Sequence, residues 1–242
     1  MSAELLKIRS MPTPLWCLIA VLICFVLGLA GTFAWGTGGD ESGVIDLAIG
    51  FPLGIASIVF GVWMFGVEFG QNTQRRTLTA DPRRFRLVVS KVLALLFCLF
   101  LVTTLLHLLA LPLYDLAASR HDQSISIQEI TRAGLASLLT NVVYALIGMA
   151  FSLIVMSMAG GMTIALVFIY IIDTLIPAIP KVGDYAMGPA LAELTNNIRG
   201  YETDLFGYEI EKAGVTAAII VAAWVIGLLA IGTFRLIRSD VK

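Results

Sequence analysis

The sequence predicts an all-α membrane protein: six transmembrane helices with both termini on the cytoplasmic side, an interfacial N-terminal helix, and a short helical outer loop before the last span. Three observations carry that expectation. Of the 242 residues, 58% are hydrophobic and only 14% charged, where a soluble domain carries about 25% charged residues. With a mean hydropathy of +0.91, lipid must be the solvent for most side chains. The apolar residues also fall into six runs, about 15–36, 44–67, 87–114, 134–158, 162–179 and 215–234, close to the ~20 residues that cross a bilayer core. Finally, eleven of the 16 lysines and arginines fall on the connections of one side. Those are Lys7 and Arg9, then Arg75, Arg76, Arg83, Arg84, Arg86 and Lys91, then Arg235, Arg238 and Lys242. Basic residues flanking spans stay on the cytoplasmic side, so that side is read as inner.

The chain begins SAELLKIRSMPTP over residues 2–14. Ser2 can cap a short helix with Leu5 and Ile8 on one face and Lys7 and Arg9 on another, a pattern suited to the cytoplasmic interface. Pro12 and Pro14 then end it and turn the chain into the bilayer. Span one carries Trp16 and Trp35 near its ends as interfacial anchors. It is longer than the apolar region of a signal peptide and is read as a retained span. Span two is punctuated by Gly50, Gly54, Gly61 and Gly66, including a Gly50-x-x-x-Gly54 step that lets a second helix approach. Pro52 near its outer end is tolerable where neighbours satisfy the backbone.

The longest polar interruption runs from Glu68 to Lys91, EFGQNTQRRTLTADPRRFRLVVSK. Its six bases face only Glu68 and Asp81. Gln71, Arg75 and Leu78 recur at helical spacing and offer a short helix parallel to the membrane. Asp81-Pro82 then supplies a capping carboxylate and a first-turn proline for span three. Between spans four and five, Ala159-Gly160-Gly161 reads as a tight turn. Span five closes with Pro177 and Pro180. In the outer loop, residues 180–214, Met187, Leu191, Leu194 and Ile198 recur at i, i+4, i+7 and i+11 before Gly200. That spacing predicts an amphipathic helix of about three turns, either a cover for the outer end of the bundle or a lid over an exit path.

Several chemistries are excluded. No G-x-x-x-x-G-K-[ST] loop occurs, and none of the five lysines precedes Ser or Thr, so that nucleotide-binding device is missing. His107 and His121 are too far apart for a zinc-protease pair, and no serine-nucleophile elbow is present. The chain itself is therefore expected to be no enzyme, with no cofactor or metal of its own. Cys17, Cys24 and Cys98 lie in apolar runs and read as packing residues rather than a disulfide framework. Within the spans, His107, Asn141 and Asp173 are candidates for a translocation path, since polar groups at membrane depth are costly. The competing account is interhelical hydrogen bonding for His107 and Asn141. For Asp173, near Pro177, it is a capped or interfacial carboxylate.

Three accounts compete for the basic segment: orientation with lipid-headgroup contact, nucleic-acid binding, and docking to a soluble partner. Nucleic acid is disfavoured because so little polar surface surrounds it. The order Glu68-Phe69-Gly70, Thr73, Arg75, Arg76, Leu78, Pro82, Arg84, Lys91 resembles the permeases of type-2 ATP-binding-cassette (ABC) exporters. The likeness is local, about 24 residues, and extends loosely to the six-span plan. The sequence departs from that pattern at Gln71-Asn72, where the family carries a more apolar, threonine-containing step.

The resemblance implies that the whole chain, 1–242, is a single permease domain of a bacterial plasma membrane. Two permease copies, identical or related, would pair in the lipid bilayer. Each would set its inner loop 68–86 as a coupling helix into a separate ABC ATPase subunit, which holds ATP and Mg. Gln71, Arg75, Arg76, Leu78, Arg83 and Arg84 would dock the ATPase, while Glu68 forms a local ion pair. The glycines of span two and the break at Asp173 suggest spans two and five as the contact between copies. An apolar cavity would suit a hydrophobic or amphipathic cargo: a drug, a lipid or a peptide. The alternatives are a membrane scaffold or immunity-type protein without a transport cycle, and an ion-coupled carrier. A neighbouring reading frame for an ATPase would separate the first reading from the rest.

Overall fold

A computed structural model of the chain describes residues 12–35, 50–70, 84–119, 126–200 and 214–238. The described residues are helical, with no strand among them. Seven helices follow in order: α1 Pro12–Trp35, α2 Phe51–Gly70, α3 Arg84–Ser119, α4 Ile127–Val155, α5 Met158–Val167, α6 Met187–Arg199 and α7 Gly214–Arg238. After α5 the chain continues through a π-helical turn, Phe168–Ile172, one α-helical turn, Asp173–Leu175, and a 3-10 turn, Ile176–Ala178. Six segments are long and apolar enough to cross a membrane: Leu15–Ala34, Phe51–Phe69, Phe85–Ala110, Thr131–Val155, Met158–Ala178 and Gly214–Arg238. The chain is a multi-pass membrane protein. The expected interfacial helix over 2–14 lies mostly outside the described residues. Pro12 and Pro14 themselves open α1, where a missing N–H leaves no helical partner wanting.

Helix α4 is the hub, packed against α2, α3, α5, α6 and α7. Its partner α2 is 67% buried along its span, against 17% for α1 and for α7. The outlying helices α1, α3 and α7 present exposed residues such as Leu27, Phe100 and Ile226, as lipid-facing helices do. The central core joins Ile58 and Val62 of α2, Ile147 and Phe151 of α4, Phe168 after α5, Leu191 of α6 and Val221 of α7.

Close approach of α2 to α4 depends on missing side chains. A Cβ on Gly61 would lie 1.9 Å from the Ala145 carbonyl oxygen, and one on Gly148 would lie 2.6 Å from that of Ile58. The two backbones meet there, so nothing larger than hydrogen fits. Gly54, by contrast, is buried against the Tyr144 ring with its Cβ position 3.4 Å away. These glycines of span two pack against other helices of the same chain.

The connection between spans four and five corrects the sequence reading. The turn lies at Met156 and Ser157, not at Ala159-Gly160-Gly161. Met156 adopts φ 57, and Ser157 caps α5 by accepting from the Gly160 N–H at 3.4 Å. A serine can cap a helix as effectively as any turn residue. The glycines instead lie in the first turn of α5, where a Cβ on Gly161 would meet the Ser152 backbone at 2.7 Å. They let the two helices close on each other.

One end of the bundle gathers the close of α2, the start of α3, the 156–157 turn and the close of α7. Val67, Val88, Leu153, Met158 and Leu236 pack together there. Of the bases expected inside, Arg84, Arg86, Lys91, Arg235 and Arg238 all belong to this end. We call it the basic end.

Candidate functional site

At the basic end, the last turns of α2 meet the first turns of α3. Lys91 is fully buried and Glu68 nearly so. The Lys91 ammonium donates to Glu68 Oε1 at 2.7 Å and to the Met64 carbonyl oxygen at 2.6 Å. It also stands 4.7 Å from the centre of the Phe65 ring. An ammonium has three donors and no acceptor. A carboxylate, a carbonyl and an aromatic face answer that chemistry from one helix. Trp63, Val67, Val88 and Leu95 belong to the buried apolar cluster at this end of the bundle. A lone ion at this depth would be expensive, and removing either partner would take away the other's paired charge.

The position of this pair matters more than its energy. Glu68 and Lys91 bracket the basic segment, so a polar clamp joins the two helices between which the segment runs. Gln71, Arg75, Arg76, Leu78 and Arg83 lie outside the described residues, and Arg84 is the first residue of α3. The expectations placed on those six therefore concern a stretch that starts and ends at one buried ion pair.

The three candidates within the spans are not brought together. His107 of α3 lines a hollow against α4. Asn141 is fully buried in α4, donating from Nδ2 to Ser137 Oγ at 3.2 Å. Its Oδ1 has no hydrogen-bond partner and lies 3.9 Å from the Cβ position of Gly54. Neither Asn141 nor Asp173 lines the His107 hollow.

Asp173 has a structural task. The spacing predicted a helix over 187–198, and α6 is that helix, ended by Gly200 at φ 79 in the left-handed region. Its own N-cap residue, Ala186, supplies no side-chain oxygen. Asp173, buried after the π-helical turn, accepts from the Met187 N–H at 3.1 Å, and the Gly188 N–H also reaches it. A carboxylate at a helix N-terminus satisfies free donors and opposes the positive end of the dipole. Two more spans hold α6. Trp224 Nε1 of α7 donates to the Tyr185 carbonyl at 2.8 Å, and Arg132 of α4 donates to that of Arg199 at 3.4 Å. Asp173→Leu should cost about 1–2 kcal/mol, the upper range for a lost cap, while Asp173→Asn should lose less. Thermal unfolding, with hydrogen exchange at Met187 and Gly188, checks both.

Sequence reasoning missed the threonines around His107. Their signal was present: Thr103 lies one helical turn before His107, and Thr104 beside it, in an otherwise apolar run. It also missed the aromatic group of Phe51, Tyr144 and Tyr170, whose rings meet edge-on at centroid distances of 6.1 and 6.5 Å. Comparison with known proteins finds no matching family model, no matching curated relative and no matching solved structure.

Proposed function

We propose that this chain is the membrane-spanning permease subunit of an ABC-type exporter, driven through its basic segment by a separate ATPase subunit. The observation that carries the reading is the Lys91–Glu68 clamp. A force applied to a loop moves its helices only if the loop's roots are joined firmly. Here α2 and α3 are joined by a buried ion pair, and α2 is packed backbone to backbone on the hub α4. Displacement of residues 71–83 would therefore pass to the centre of the bundle rather than dissipate in one helix.

In this reading the basic end faces the cytoplasm of a bacterial cell, as the distribution of lysine and arginine favours. Arg75 and Arg76, with Gln71 and Leu78, contact the ATPase, whose ATP and Mg supply the energy. A second permease copy completes the path, and α6 covers the outer end. The cargo is hydrophobic or amphipathic, in keeping with spans whose interior is mainly aliphatic.

The test is co-purification of the full chain with the ATPase encoded beside it. Arg75→Glu with Arg76→Glu should lower recovered ATPase at least about tenfold, the result of turning two attractions into two repulsions at an interface. Chain abundance in the membrane should be unchanged. Full recovery of the ATPase with the reversed chain, together with unimpaired export, would overturn the reading.

A further inference from the structure

We propose that the hollow between α3 and α4 binds a single-chain amphiphile dissolved in the membrane, whose head donates a hydrogen bond to His107. This goes beyond the transport reading and does not depend on it, because the prediction concerns occupancy of a site and not movement of cargo.

The hollow has a volume of about 170 Å³. A dry cavity of about 150 Å³ holds one benzene ring, so a small head and the first few carbons of a chain fit. Its lining combines Thr103, Thr104, His107 and Thr131 with Gly134 and Leu135. Gly134 makes room for the imidazole: a Cβ there would approach His107 Cδ2 to 3.2 Å. The mouth is apolar. Phe100, Leu108 and Leu135, which also line the hollow, are each more than half exposed, on spans whose surroundings are lipid. What diffuses to such a mouth is a molecule already in the bilayer.

The polar chemistry then selects the head. His107 Nδ1 lies 2.8 Å from the Thr103 carbonyl oxygen. A carbonyl can only accept, so Nδ1 carries the proton, and in the neutral ring Nε2 is left as an acceptor. Thr103 Oγ1 is buried without a hydrogen-bond partner, an arrangement that asks for an explanation. A hydroxyl head can donate to Nε2, and Thr103 Oγ1, enclosed as it stands, would meet it by turning about χ1 toward the hollow. An ether or ester oxygen has no proton to offer Nε2. A charged ammonium head would meet no carboxylate in the lining.

The test uses the full chain in phosphatidylcholine nanodiscs, a lipid whose head carries no donor. Two probes are compared: hexadecanol bearing a photoreactive diazirine near the head, and its methyl ether. After irradiation, label on α3 and α4 peptides is measured by mass spectrometry. The alcohol should label residues 100–108 and 131–138 roughly fivefold to tenfold more than the ether, the ratio expected for one buried hydrogen bond. His107→Phe keeps the ring volume and should abolish that preference. Leu135→Trp, at an exposed position, should block the mouth and depress alcohol labelling while leaving the fold intact.

Equal labelling by alcohol and ether on the unmodified chain would overturn the proposal, leaving only ordinary lipid contact. Preference for the alcohol that survives His107→Phe, or labelling undiminished by Leu135→Trp, would overturn it equally. Where His107→Phe fails to yield folded protein, the probe pair together with Leu135→Trp decides the matter.

Discussion

Replacing Glu68 with alanine is expected to destabilise the protein by about 3–5 kcal/mol, the cost of leaving a buried charge without its partner. The Lys91 ammonium has no exposed surface. Without Glu68 it loses its paired carboxylate, while the Met64 carbonyl and the Phe65 ring beside it carry no compensating charge. Lys91→Ala should cost a similar amount, since it removes the cation paired with Glu68 and opens space between α2 and α3. The double variant Glu68→Leu with Lys91→Met should recover most of either loss, because an apolar pair of matching size fits the surroundings. An exchange, Glu68→Lys with Lys91→Glu, should not recover it. The Met64 carbonyl would then face a carboxylate, which accepts but cannot donate. Denaturant unfolding of the four variants in detergent gives the comparison. A single-variant cost below about 1 kcal/mol, the range of an exposed pair, would mean that water reaches the clamp.

Gly61→Ala should be the most disruptive single methyl in the chain. The added carbon would lie 1.9 Å from a backbone oxygen of α4, and a backbone cannot rotate aside as a side chain can. Overpacking ordinarily costs about 1–3 kcal/mol; here the only relief is to part the two most heavily packed helices, so the upper end or beyond is expected. Gly148→Ala, facing the Ile58 carbonyl at 2.6 Å, should behave alike. Gly54→Ala, with the Tyr144 ring at 3.4 Å, should stay within about 1 kcal/mol of the parent. Gly227→Ala meets nothing within 4 Å and should gain up to about 1 kcal/mol from helix propensity. Folded yield and thermal unfolding rank the four. An order in which Gly54→Ala is worse than Gly61→Ala would contradict the packing described.

Much of the fold was legible because membrane insertion writes it locally. A run of apolar residues long enough to cross the bilayer must be helical, whatever its neighbours, and six such runs became six spans. Helix α6 was equally plain, its apolar residues at helical spacing and Gly200 at its end. Where geometry between elements decides, the letters mislead. Gly160 and Gly161 look like a turn but serve close packing, while the turn itself uses Met156 in a left-handed conformation and a serine cap. The glycines of α2 announce close approach without naming the helix approached. Polar residues in the spans behaved similarly. Asp173 and His107 stood out by type, yet a cap on a helix fourteen residues later and a hollow against α4 are tertiary facts. The burial of Lys91 could not be read at all, since a lysine in a run of arginines gives no sign that it turns inward.

Helices α3 and α4 run on past their apolar, membrane-length segments. The crossing segment of α3 ends at Ala110 while the helix continues to Ser119, and α4 begins at Ile127, ahead of its crossing segment at Thr131. At 1.5 Å per residue, α3 extends about 13 Å past that segment, at the end away from the bases where α6 lies against α4. A chain of 26.1 kDa would otherwise vanish into its detergent belt. This shoulder, which carries Pro112, is where an antibody fragment would find a foothold and particle alignment a reference point.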